Sequence, residues 1–243
     1  MPIDICVHYG NYDCLGKPYG AQGVLGQMQK YRIETSILFS AMAVSSDFKA
    51  GNQELTQVLQ DQPNLYGYFV LNPNYEDESI EAMRTALNSR KFVAAALFVG
   101  DSQPFPNLDD YDTILNAYRR FAKPVYIYTD SAEAVMAAIE IAKAFPTIKF
   151  ILGSMGGNEW KRTMACSKQL NVYLETSGSF DAEKIEEAVA NFGDHRVLFG
   201  SGSPYADPVS ALALVQSSRI PRESMEKILG ENARTVFGLG AQG

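Results

Sequence analysis

The chain has 243 residues, 46% hydrophobic and 20% charged, enough for a sizeable core and for an α/β barrel of roughly 250 residues. A formal net charge of −7 argues against nucleic acid or an anionic membrane surface as the main partner. Three cysteines (Cys6, Cys14, Cys166) make no disulfide framework, and no apolar run approaches the roughly 20 residues of a membrane span. With no basic-then-apolar leader at the start, a cytoplasmic setting is expected.

The first strand is expected over residues 3–8, where Ile3, Ile5 and Val7 alternate with Asp4, Cys6 and His8. Successive side chains on a strand face opposite ways, so in a barrel the first three would meet helices and the last three the lumen. The loop that follows, 9–26, is rich in glycine and carries Tyr9, Tyr12 and Tyr19, a composition suited to a ligand-binding loop or lid. Further strands are expected at 33–39, 65–71, 92–99, 124–129, 148–152, 172–176 and 197–200. Several are continuous apolar runs, as when both sheet faces are buried. Helical periodicity marks 77–87, 111–121, 132–145, 182–192 and 208–215, with a closing helix over 223–237.

Strand starts recur at intervals of roughly 23 to 32 residues, the length of a βα unit, and no composition shift divides the chain. The expectation is a single (β/α)8 barrel over residues 1–243 with an extra C-terminal helix, its site at the carboxyl ends of the strands. No G-x-G-x-x-G turn follows the first strand, which weakens a nucleotide-binding open sheet as the rival.

Seven stretches then fall into order: "IDICVHYG" (3–10), "YFVLNP" (68–73), "KPVYIYTD" (123–130), "FPTIKFILGSMGG" (145–157), "NVYLETSG" (171–178), "RVLFGSGSPY" (196–205) and "ILGENARTVFGL" (228–239). Together they resemble the amidohydrolase-related branch of the amidohydrolase superfamily, barrel enzymes that hydrolyse amides and lactones or decarboxylate aromatic acids. The resemblance implies a metal site. In the family, two first-strand histidines, one histidine each from strands five and six, and a strand-eight aspartate hold zinc or a similar ion. The matching places here hold Cys6, His8, Tyr128, Ser154 and Gly202. Zinc needs three or four convergent N, O or S donors, and Tyr, Ser and Gly supply them poorly or not at all. A site without metal or cofactor is therefore expected.

On this reading His8 polarises the substrate or transfers a proton, Tyr128 orients it, and Glu175 acts as acid or base. Cys6, Tyr9, Tyr12, Ser154, Trp160 and Gly202 contact the ligand. The main expectation is a metal-independent, lactonase- or esterase-like hydrolase of a small molecule. One alternative is a catalytically inactive pseudoenzyme serving as a binding or assembly module, with association of identical copies open. A second is a metal-dependent hydrolase or decarboxylase whose site is rebuilt from Cys6, His8 and Glu175 or Asp130. Asp130 otherwise reads as a cap for the helix beginning near Ser131, and His195 as a surface residue. In "SMGGNEWKR" (154–162) the glycines place backbone N–H groups at a helix start, where an anion could be held.

Overall fold

The computed structural model describes residues 1–10, 19–97 and 105–240. Eight strands, β1 (Ile3–Tyr9), β2 (Thr35–Ser40), β3 (Leu65–Leu71), β4 (Phe92–Leu97), β5 (Val125–Tyr128), β6 (Phe150–Gly153), β7 (Val172–Glu175) and β8 (Val197–Leu198), pair in parallel in sequence order. The last meets the first: Ile5 N donates to Phe199 O at 3.1 Å, His8 N to Ser203 O at 2.7 Å and Gly202 N to Cys6 O at 2.9 Å. The sheet is thus a closed (β/α)8 barrel, as the strand spacing implies.

Among the described residues the helices are α1 (Ala21–Tyr31), α2 (Ala41–Ser45), α3 (Phe48–Gln60), α4 (Glu76–Ala86), α5 (Leu108–Tyr118), α6 (Ala132–Ala144), α7 (Trp160–Met164), α8 (Ala182–Phe192), α9 (Pro208–Ser217), α10 (Arg222–Glu226) and α11 (Asn232–Phe237). Several begin at a side-chain cap that satisfies an otherwise orphan N–H. Asp47 accepts from Lys49 N and Ala50 N, both at 3.0 Å, and Asp181 from Glu183 N at 2.9 Å. The cap of α6 is Ser131, accepting from Ala134 N at 3.2 Å, and not Asp130. Among the described residues no helix is long and apolar enough to cross a membrane.

The apolar core has two layers. An outer one joins strands to helices and includes Val7, Leu38, Phe69, Ile127, Leu152 and Leu174. An inner one fills the barrel with Phe39, Tyr68, Val70, Ala94, Tyr126, Ile151 and Leu198. Ile3 and Ile5 depart from simple alternation. The pairing of β1 with β2 shifts between Asp4 and Val7, and both isoleucines join the inner cluster beside Ala233, Val236 and Phe237. The closing helix runs without a break from Arg222 to Phe237, and a π-helical turn over Lys227–Glu231 lies within it, between α10 and α11. A Cβ on Gly230 would stand 2.8 Å from Met1 O, and Asn232 Nδ2 donates to Asp194 O at 2.7 Å and Val197 O at 2.8 Å. These tertiary ties hold the wide turn in place.

Candidate functional site

At the carboxyl ends of the strands lies a cavity of about 550 Å³. Its wall carries His8 from β1, Phe39 from β2, Tyr126 and Tyr128 from β5, and Ser154 after β6. Ser177, Phe180, Ser201, Gly202 and Tyr205 come from the segments after β7 and β8. The strands bring these residues together because positions i and i+2 share a face, so Tyr126 and Tyr128 both reach the lumen, one deep and one at the rim. Tyr126 is buried, whereas Tyr128 is 55% exposed.

His8 sits in an aromatic wall. Its ring stacks on Phe39 with centroids 5.5 Å apart and meets Tyr205 edge-on at 5.1 Å. Burial pushes its pKa down to about 4, so the imidazole is neutral at pH 7. Cys6 Sγ lies 4.0 Å from His8 Nε2 and 3.7 Å from Tyr126 Oη. Burial, then the charge of Glu175, raises its thiol well above the usual range, which opposes a thiolate–imidazolium pair.

Beneath the wall lie two carboxyl groups. Glu175 is fully buried, and its oxygens accept from Tyr126 Oη at 3.0 Å, Ser177 Oγ at 2.7 Å, Ser154 N at 3.3 Å and the Ser177 amide. Burial raises its pKa against the pull of those donors. Asp4 accepts from Ser201 Oγ at 2.6 Å, Ser201 N at 2.9 Å and Cys6 N at 3.2 Å, and burial pushes it up to about 7. The left-handed backbone of Gly202 (φ 72°) gives a physical reason for glycine at that wall position.

Of the residues singled out in the sequence, His8, Tyr128, Ser154 and Gly202 line the cavity, with Cys6 and Glu175 directly beneath. Tyr9 points the other way, into the outer core, its hydroxyl 3.4 Å from Glu54 Oε1. Trp160 lies apart, in a surface groove with Met164, Glu183 and Glu187. Tyr12 lies outside the described residues, as do Cys14 and Asp101. His195 is exposed, as expected. The anion cradle expected at 154–162 does not form. Ser154 N and Gly156 N are taken by Glu175 and Thr129, and the helix that follows has five residues.

Sequence reasoning missed Asp4, Phe39, Tyr126, Ser177, Phe180, Ser201 and Tyr205 as site residues. Tyr126 was within reach, because strand alternation puts it on the face of Tyr128. Asp4 and Phe39 also lie within strands β1 and β2, and alternation already turns Asp4 into the lumen, whereas Ser177, Phe180, Ser201 and Tyr205 follow strand ends, where no periodicity helps.

A family model described as Amidohydrolase matches residues 24–239. Over 116 residues the chain is 28% identical to a gamma-resorcylate decarboxylase of Polaromonas sp. (strain JS666 / ATCC BAA-500), a match spanning 39% of this chain and about a third (36%) of that relative. Among solved structures, a dihydroxybenzoic acid decarboxylase from Polaromonas sp. JS666, with bound manganese and the inhibitor 2-nitroresorcinol, superposes with a TM-score of 0.78. It shares 19% identity over 98% of this chain and 97% of that one. A 5-carboxyvanillate decarboxylase from Sphingomonas paucimobilis gives a TM-score of 0.77, with 13% identity over 98% of both chains. These findings overturn the main expectation of a metal-independent hydrolase, and with it the degenerate, inactive barrel. They favour the reading in which the site is that of a metal-dependent hydrolase or decarboxylase.

Proposed function

The chain belongs to the amidohydrolase family, and on that footing we propose that it is a decarboxylase of a small aromatic carboxylic acid. The observation that carries this reading is the aromatic wall around His8 in a cavity of about 550 Å³, a volume suited to one substituted ring. The decarboxylases named above support the reaction class. The proposal places the reaction in a single catalytic domain in the cytoplasm, with Cys6 and Cys166 reduced.

Manganese, present in the Polaromonas structure, meets a poor donor set here. Among the described residues no three His, Cys, Asp or Glu side chains are grouped to hold a metal. His8 is the imidazole at the mouth, the Cys6 thiol is held protonated, and four donors engage the Glu175 oxygens. An ion seated beside His8 would need substrate oxygens and water to complete its coordination. The described residues do not fit a metal held by protein donors alone, and the chemistry is derived from the chain's own groups.

The substrate ring packs against the aromatic wall of His8 and Tyr205, with Tyr128 and Phe180 among the other lining residues. The hydroxyls of Ser154 and Tyr128 donate to its oxygens, while Ser201 keeps its proton on Asp4. No lysine or arginine stands among the described lining residues, and Asp4 and Glu175 lie beneath. The wall therefore holds a carboxylate weakly and favours its departure as neutral CO2. The carbon–carbon bond breaks, its electron pair stays on the ring carbon, and that carbon takes a proton. His8 is assigned as the donor, Tyr128 as the orienting phenol, and Glu175 as the residue that positions Tyr126 and Ser177.

The test is an assay with 2,6-dihydroxybenzoate and 5-carboxyvanillate, following loss of acid and release of CO2, with added manganese and after chelation. Turnover is expected with one of them, lowered about 100-fold or more in His8→Ala. Because His8 titrates at about 4, the rate should climb as pH falls from 7 and level near that value. A protein that neither turns over nor binds any acid of this class refutes the reading.

A further inference from the structure

Lys184 lies in α8 on the face that otherwise presents Ile185, Ala188 and Phe192, and it is 3% exposed. A buried ammonium is costly unless partnered, and an apolar side chain would fill the same place with less penalty. One of its two partners, Ser154, is on the cavity wall. Lys184 Nζ donates to Ser154 O at 2.7 Å and to Gly157 O at 3.2 Å.

Those two carbonyls bracket an unusual piece of backbone. Ser154, Met155, Gly156 and Gly157 have φ values of 58°, 50°, 86° and 56°, four positive-φ residues in succession, the last turned to ψ −126°. Two of them are not glycine, and such a conformation persists only where its surroundings over-determine it. Glu175 accepts from Ser154 N, and Thr129 Oγ1 accepts from Gly156 N at 3.1 Å. On the outer side a Cβ on Gly157 would stand 2.8 Å from Asp130 O, so the segment has no room to shift. Lys184 is thus the side-chain donor that clamps the carbonyls of the run, while Glu175 and Thr129 hold its amides.

We propose that Lys184 is a positioning residue of the site, holding 154–157 in its positive-φ course and so fixing Ser154 in the cavity wall. Only the ligand part of the test below rests on the aromatic-acid reading.

The chain carries a built-in reporter, since its single tryptophan, Trp160, follows the run by three residues at the start of α7. The experiment compares the full chain with Lys184→Met and Lys184→Arg. It reads Trp160 emission, amide exchange over 153–157, and the affinity for 2-nitroresorcinol. Lys184→Met should keep a cooperative melt, shift the Trp160 emission, and speed exchange in the segment by about tenfold or more. It should weaken the probe by a similar factor, and Lys184→Arg, which keeps the charged donors, should restore all three to within about twofold. Native emission and exchange in Lys184→Met overturn the proposal. So does a Lys184→Arg protein that behaves as Lys184→Met does, because volume rather than donation would then be at work. Should Lys184→Met fail to fold, Lys184→Gln is read by the same criteria. If the native protein does not bind the probe, the aromatic-acid reading suffers, while emission and exchange still decide the role of Lys184.

Discussion

A Cβ on Gly200 would stand 2.0 Å from Glu175 Oε1 and 2.7 Å from Cys6 Cβ, so this glycine is what lets the carboxylate occupy its place. Glu175 in turn takes four donors, and none of them has another described acceptor of comparable charge. Gly200→Ala should therefore push Glu175 off its partners and leave buried donors unpaired. A loss of about 2–4 kcal/mol is expected, read as a lower denaturant midpoint at unchanged slope. A variant within about 0.5 kcal/mol of the native protein would show that the floor relaxes without loss. Tyr126→Phe removes one donor and leaves the other three, so a smaller cost of about 1 kcal/mol should appear in the same measurement. Glu175 belongs to the floor of the site first, and its effect on chemistry runs through the tyrosine and serine it holds.

At the scale of elements, legibility followed the origin of each signal. The strand over Leu65–Leu71 and the helix over Ala182–Phe192 end where the sequence pattern ends, because burial on both faces and a periodic apolar stripe are local properties. The continuous periodicity over 223–237 predicts the closing helix, and the helical course follows it, but not the π turn inside it. Its π turn arises from contacts with Asp194, Val197 and Met1, which are remote in sequence and carry no local mark. The site divides in the same way. His8, Tyr128 and Ser154 were legible through strand alternation and family likeness, whereas Trp160 looked like a mouth residue only because it follows a strand-end loop. Asn232 tests the account of the turn. Asn232→Ala strips two carbonyls of their donor and should cost about 2–3 kcal/mol. Amide exchange should rise first over 227–231, where the wide turn depends on them. Uniform loosening of the barrel instead would place the cause of the turn elsewhere.

Across the whole molecule, two groups of the site tie stability to pH with opposite signs. Asp4 is raised to about 7 in the fold, from 3.8, by burial, against its bonds to Ser201 and Cys6 and with a further upward push from Glu175. The native state then binds more protons than the unfolded state between about pH 4 and 7, so this group's contribution is full below that window and lost as pH rises through it. Three units correspond to about 4 kcal/mol in the limit. His8 is lowered to about 4, from 6.5, by burial. Here the unfolded state binds more protons, so stability rises with pH between about 4 and 6.5, by about 3 kcal/mol in the limit. The two nearly cancel in the native protein, and substitution separates them. Asp4→Asn keeps an acceptor and a donor for Ser201 without the charge, so its stability relative to the native protein should climb from pH 4 to 7. His8→Gln removes the opposite slope, so its relative stability should fall from pH 4 to 6.5. Denaturant midpoints of the three proteins at half-unit pH steps read both trends. Parallel curves would mean that neither group titrates as its burial implies.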